Sequence, residues 1–424
     1  MVNALAFRGG GDKISIMKIL GSIRVFVISL AVLIVSGLLF SIFHKPKPPP
    51  VKIGILFSLT GNMAKTEQPL VDAALLAVDE INQAGGLRGA PLAPVVADGR
   101  SDWSQFAREA ERLITEEKVS AIIGCWTSAC RKAVKPVVER HNHLLLYPLQ
   151  YEGMEESKNI IYLGTAPNQQ IVPGLVWAMQ NHGKRIFLVG SDYVFPRVAN
   201  IIIKEIALAQ GAVILGETYL PLGGTEAREV AAEIERKKPD VVLNTINGTT
   251  NFHFFTALKE RGLAASSTPV VSFSLAEPDI ASYPDLTTGH YAVWSYFQSL
   301  KSEKNAKFVA KFKKKYGNGR VIGDPMLKTY FGIHLWAEAV QGSGVAAPEA
   351  VNMQILHGSL NSPQGIVSVD GESRHLWQSV SIGKAKGDGQ FDIVWSSTNT
   401  IKPSPFPEFH PKSQWLALAA AALK

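Results

Sequence analysis

From Val51 onward, short apolar runs alternate with longer stretches in which apolar residues recur every three to four positions. The run VKIGILF (51–57) precedes EQPLVDAALLAVDEINQ (67–83), where Leu70, Ala73, Ala74, Ala77, Val78 and Ile81 follow the helical period. Gly85 and Gly86 stop that helix. The cycle repeats with LAPVVA (92–97) and WSQFAREAERLITEE (103–117), then VSAIIG (119–124) and a helix opening at Thr127 or Ser128, then HLLLYP (143–148). After a loop, TAPNQQ (165–170), a second series follows: a helix to about His182, RIFLVG (185–190), a helix near 199–210, AVILGETYL (212–220), a helix near 225–237, DVVLNT (240–245), a helix near 251–261 and PVVSFS (269–274). Such alternation predicts an α/β fold of two doubly wound, Rossmann-like lobes, each a parallel sheet with helices on both faces. Helical patterns at 305–316, 327–341 and 348–356 come next, and then a β-rich stretch at 375–397 in which KGDGQ marks a hairpin turn.

The composition, 46% hydrophobic and 19% charged over 424 residues, supplies enough apolar surface for two separate cores. The net charge of +7 is partly local, because Arg8, Lys13, Lys18, Arg24, Lys45 and Lys47 flank one apolar segment. Without a basic face elsewhere, nucleic acid is not an expected partner. Residues 25–43, VFVISLAVLIVSGLLFSIF, carry no charge and match the length of a membrane-crossing helix. A cleaved signal wants a shorter apolar core and then small residues, whereas this core ends in Phe40, Ile42 and Phe43 and runs into HKPKPPP. The expectation is an uncleaved transmembrane signal anchor at 25–43, a basic cytoplasmic segment at 1–24, a proline-rich tether at 44–50, and the bulk of the chain outside the cytoplasm.

In open α/β sheets ligands bind beyond the carboxyl ends of the strands, and five polar or aromatic clusters fall there: CWTS, YPLQYEG, GSDYVFP, NTINGTTN and SFSLAEPD. Trp126, Tyr147, Tyr151 and Tyr193 offer flat walls, and Thr127 and Ser128 offer hydroxyls and helix-terminal N–H groups. Gln150, Asp192, Asn247 and Glu277 can exchange hydrogen bonds. The set suits a small, polar, planar ligand; the alternative is that each tyrosine simply packs a core. The nucleophile elbow, the H-E-x-x-H zinc motif, the phosphate loop and the dinucleotide fingerprint are all missing, so neither catalysis nor a cofactor is expected. His141 and His143 make an incomplete metal site, and no metal is expected. Cys125 and Cys130, the two cysteines, could pair, but four residues across a strand-to-helix turn make the geometry doubtful. Cys125 reads as a small buried residue, and Cys130 is left open.

Taken in order, LFSLTG, DEINQAGGLRG, GCWTS…RKAVKPVVER, YPLQYEG, APNQQ, GSDYVFPR and NTINGTTNFHFF resemble the type I periplasmic binding proteins of the urea and short-chain amide branch, over residues 51–397. Trp126 and LQYEG are closer to the urea-transporter pattern, while SPQGIVSVD…FDIVWSSTNTIKPSPFPEF is similar to the amide sensors. The resemblance implies two hinged lobes, 51–171 with 298–362 and 172–297 with 363–397, followed by a tail at 398–424. It implies a small-molecule ligand held between the lobes by Trp126, Ser128, Tyr147, Gln150 and Tyr193, with Thr127, Asn247 and Glu277 as further members, and ABC permease subunits as partners. Two alternatives stay open: a sensor of amide or urea acting on a partner protein, and a branched-chain amino acid ligand whose ammonium Glu277 would hold.

Overall fold

The computed structural model describes residues 12–43 and 48–423, with side chains from 21–36 and 48–423. It divides into two units, Met1–Pro49 and Pro50–Lys424. Among its described residues the first contains one helix, α1 (Asp12–Phe43), whose apolar side chains Val25, Phe26 and Leu33 are 65%, 69% and 68% exposed. Among the described residues no helix is long and apolar enough to cross a membrane. The expected span at 25–43 extends beyond the described side chains at 37–43, and residues 1–11 of the basic segment and 44–47 of the tether lie outside the described residues.

In the second unit, β1 (Val51–Phe57), β2 (Leu92–Asp98), β3 (Ile122–Gly124), β4 (Leu145–Tyr147) and β5 (Ile160–Tyr162) form a parallel sheet in the order β2-β1-β3-β4-β5. The crossover helices are α2 (Ala64–Gln83), α3 (Trp103–Thr115) and α4 (Ser128–Arg140). Strand order reverses between β1 and β3, which opens a crevice beyond their carboxyl ends. The sequence pattern did not mark β5, which follows β4 with no crossover helix and so falls outside the strand–helix alternation.

The chain then builds a second sheet through α5 (Ile171–Asn181), β6 (Arg185–Ser191), α6 (Val194–Ala209), β7 (Val213–Leu220), α7 (Arg228–Lys237), β8 (Val241–Thr245), α8 (Thr250–Glu260), β9 (Val270–Ser272), α9 (Glu277–Ser282), α10 (Pro284–Thr287) and β10 (Tyr291–Trp294). Alternate residues of its strands feed two cores: Ile186 and Leu188 of β6 pack with α5 and α6, and Phe187 and Val189 pack with α7 and α8. Burial on both faces explains why these strands read as unbroken apolar runs. The α6 helix starts five residues before the expected Ala199, with Pro196 accommodated in its first turn.

Next, α11 (Glu303–Tyr316), α12 (Asp324–Ser343), α13 (Pro348–Gln354) and a small antiparallel sheet of β11 (Ser359–Ser362), β12 (Gly365–Val369) and β13 (Leu376–Trp377) return to the first core, to which Phe312, Leu327, Trp336, Val367 and Leu376 belong. The hairpin β14 (Ser381–Ala385) and β15 (Phe391–Ser396) completes the second sheet, in the order β15-β14-β10-β9-β8-β6-β7. The chain thus passes between the sheets three times, at 163–170, 295–302 and 378–380; the last passage follows β13 and comes later than the expected boundary at 363. The tail ends in α14 (Lys412–Ala422), which packs on α6 through the fully buried Trp415.

Candidate functional site

Beyond β3 the backbone turns sharply into α4, and Gly124 (φ +155°) makes the turn where a Cβ would collide with the Leu56 carbonyl. Cys125 is buried, and it forms a disulfide with Cys130, with Cα atoms 6.3 Å apart, which corrects the expectation that the geometry between them was doubtful. The first turn of α4 folds Cys130 back over the strand end, into the range a disulfide spans. The bond brackets Trp126, Thr127 and Ser128. Thr127 is the N-cap of α4 and accepts the Cys130 N–H at 3.1 Å. Ser128 donates to Glu152 Oε2 at 2.5 Å and accepts from Arg131 Nη1 at 3.0 Å, so its hydroxyl is held inside the first lobe.

Trp126 Nε1 donates to Asn247 Oδ1 at 3.3 Å, joining β3's end to the loop after β8. Asn247 is fixed in turn, donating through its backbone N–H to Ser191 Oγ (3.0 Å) and through Nδ2 to the Thr245 carbonyl (3.1 Å). Tyr147 donates to the Trp126 carbonyl at 2.8 Å. Gln150 donates through Nε2 to the Phe273 carbonyl at 3.1 Å, a second link between the sheets. Tyr193 precedes α6 and is buried; burial pushes its phenol pKa up, with Tyr147 and Glu152 adding to the push. Glu277 opens α9 and accepts the Gln298 N–H at 2.7 Å. Burial pushes its carboxyl up to about 8. Two oxygens stand out: Gln150 Oε1 and Glu277 Oε2 are buried without a hydrogen-bond partner among the described residues.

The structure therefore links Trp126, Asn247 and Tyr147 directly, ties Ser128 to the layer beneath them, and sets Glu277 on Gln298, apart from that chain of bonds. Asp192 pairs with Arg197 at 2.7 Å and is half-exposed, and Tyr151 bonds His375 at 2.6 Å in the first core. His141 meets Glu111 at 2.7 Å and His143 meets the Val119 carbonyl at 2.8 Å, so the two rings have separate partners. A groove of about 1060 Å³ opens between the two sheets, lined by Trp126, Lys65, Thr249, Phe252, Tyr283 and Arg320 among others. Trp126 forms part of its wall.

Two features escaped the sequence reading. Arg131 is fully buried, paired with Glu152 at 3.0 Å and Glu155 at 2.8 Å, with its guanidinium over the rings of Tyr147 (4.9 Å) and Tyr151 (4.6 Å). Against the push of burial, Arg131, Lys132 and Lys135 hold Glu155 down to about 2. Glu67, buried in the first turn of α2, accepts the Ser58 N–H at 2.7 Å, and burial pushes it up to about 8. A charged residue at a helix start reads as a solvated cap, and nothing local distinguished Glu67 from one.

The sequence profile of the periplasmic binding protein domain matches residues 51–412. The chain is similar to the Leu/Ile/Val-binding protein homolog 6 of Brucella abortus (strain 2308), 25% identical over 301 residues that cover 68% of this chain and 76% of that one. A stretch of 117 residues, 28% of this chain, is 39% identical to a limonene hydroxylase of Geobacillus stearothermophilus, of whose length it spans 21%. Among solved structures, a solute-binding protein of an ABC transporter from R. palustris, in complex with 4-hydroxybenzoate, aligns with TM-score 0.77 and 23% identity over 84% of this chain and 98% of its own. A branched-chain amino acid transporter substrate-binding protein from Streptococcus pneumoniae, in complex with isoleucine, aligns with TM-score 0.72 and 18% identity over 84% and 100%. At these identities the likeness is one of fold.

Proposed function

Since the chain belongs to the periplasmic binding protein domain family, we propose that it closes on urea or a short-chain amide, without turnover, and presents it to an ABC permease. Two buried oxygens without a partner, Gln150 Oε1 beyond β4 and Glu277 Oε2 at the start of α9, are the observation this reading starts from. Leaving such atoms unpaired costs about 1–3 kcal/mol each, and an amide supplies N–H donors for one and a carbonyl for the other if Glu277 holds its proton. Trp126 and Tyr193 then serve as flat walls. Arg131 is not available to a ligand carboxylate, because Glu152 and Glu155 already neutralise its buried guanidinium. In this reading Trp126, Tyr147, Gln150, Tyr193, Asn247 and Glu277 surround the ligand, and Thr127 and Ser128 hold Trp126 in place.

The ionised form of Glu277 favours a second ligand, an amino acid whose ammonium it would pair. Calorimetric titration of the full chain with urea, acetamide, leucine and 4-hydroxybenzoate separates the two. Uptake of urea or acetamide that weakens as the pH rises through about 8 supports the amide. Binding confined to leucine, strengthening over the same range, would replace it, and binding confined to the hydroxybenzoate would overturn both.

We also propose that residues 25–43, the charge-free part of α1, form an uncleaved membrane anchor with the lobes outside the cytoplasm; the apolar run and the exposure of Val25, Phe26 and Leu33 support this. Membrane fractionation and the mass of the mature amino end test it: a soluble product starting after Phe43 would show a cleaved signal instead.

A further inference from the structure

Each of the three passages between the sheets contributes one side chain to a single buried polar cluster. Gln169 comes from the first, Ser295 from the second and Gln378 from the third. At the centre is Lys328 on α12, fully buried. Its Nζ donates to Gln378 Oε1 at 2.5 Å and to Gln364 Oε1 at 2.6 Å, and lies 3.9 Å from Asp324 Oδ2 one turn earlier. Asp324 accepts the Ser295 hydroxyl at 2.5 Å. Gln378 Nε2 reaches Gln169 Oε1 at 3.4 Å, and Gln169 Nε2 donates to the carbonyls of Leu376 (2.9 Å) and Ile401 (2.8 Å).

We infer that Lys328 is a positioning residue for ligand capture: its protonated ammonium ties the three passages together, and loss of that proton lets the lobes separate. The physical reason lies in the partners. A charged ammonium makes charge-assisted bonds to both glutamines and balances the buried carboxylate of Asp324. The neutral amine keeps weaker bonds and removes the one countercharge beside Asp324, leaving only neutral donors, the Ser295 hydroxyl and the backbone N–H groups of Ser295 and Tyr296, against burial. The groups facing Lys328 are Asp324 on its own helix, Gln364 and Gln378 from the small sheet and the third passage, and the Phe331 ring at 5.1 Å. Beyond Asp324 stand Glu277 and Tyr296, whose protons its charge helps retain. Burial pushes Lys328 down to about 8, which brings its titration into an accessible range. The inference rests on the proposed closure of two lobes, though not on the identity of the ligand.

Pulsed spin-label distances between one introduced cysteine on each lobe test it in the full chain without ligand, since the native cysteines are already paired. At about pH 6.5 and 9.5, on either side of the titration, the parent should show short and long distances respectively. Lys328→Arg, whose guanidinium stays charged, should stay short at both, and Lys328→Met should be long at both. Glu67 and Glu277 titrate in the same range, so the arginine variant decides the assignment. A parent whose distances ignore pH, or an arginine variant that lengthens as the parent does, overturns the proposal. If the methionine variant fails to fold, the other two still decide. Because no ligand is present, failure of urea to bind is a separate result.

Discussion

Trp126 and Ser128 are two positions apart yet should respond to truncation in different assays. Trp126→Ala removes the wall and the bond to Asn247. In a variant whose melting temperature matches the parent, ligand affinity should fall more than tenfold, about 1.4 kcal/mol; unchanged affinity would place the ligand elsewhere. Ser128→Ala leaves Glu152 short of a donor, so the expected loss is about 1–3 kcal/mol of unfolding free energy, read by guanidinium denaturation, with affinity little changed. The sequence made Trp126 and Asn247 legible as site candidates because they stand at strand ends. It could not say that the Ser128 hydroxyl rotates inward, since Glu152 lies more than twenty positions on and only the fold brings it near. The raised carboxyls add a pH test. The folded chain holds protons on Glu67 and Glu277 up to about pH 8, while the unfolded chain releases them near 4.5. Their contribution to stability is full below 4.5 and lost as the pH rises through 8. His290 and His375, held down to about 4 and about 3 by burial, act oppositely, lending stability above 6.5 that is lost as the pH falls through those values. Between about 6.5 and 8 the carboxyl effect dominates among these groups. Unfolding free energy should therefore fall across that window, and Glu277→Gln should flatten the slope.

The Cys125–Cys130 bond belongs to the junction of β3 and α4, and its effect should be local. So short a loop stabilises at the low end of the usual range, about 2 kcal/mol. Replacing both cysteines with serine should lower the melting temperature modestly and weaken ligand binding more than a change of that size elsewhere in the lobe, because Trp126 loses its bracket. Equal affinity in the doubly substituted protein would show that Thr127 and Tyr147 hold the loop unaided. Elements with a clear period, such as α2 and α3, were readable from the chain, as were the long apolar strands β1, β6 and β8. β5 and β10 were not: β5 follows β4 with no crossover helix and β10 follows only the short α9 and α10, so neither falls in the strand–helix alternation that marked the equally short β3, β4 and β9. The α14 helix also escaped, being apolar on every side and so without an amphipathic period.

For the whole molecule, closure predicts that small-angle scattering will give a smaller radius with saturating urea or acetamide; an unchanged radius for a ligand that calorimetry shows to bind would mean the lobes do not move. The two-lobed α/β plan was legible from alternation alone. That α11, α12 and β11–β13 go back to the first sheet was not, because nothing in a helical period says which sheet a helix will cover. This return has a consequence for biosynthesis. Tyr330 of α12 donates to Glu80 of α2 at 2.6 Å across 250 positions of sequence. While a ribosome is still making the second lobe, the first sheet must wait with one face uncovered, for on the order of ten seconds. A nascent chain in that state presents an open apolar surface that only its own later residues can cover. Cutting the gene between the lobes would therefore yield a first half that aggregates, however intact its strands.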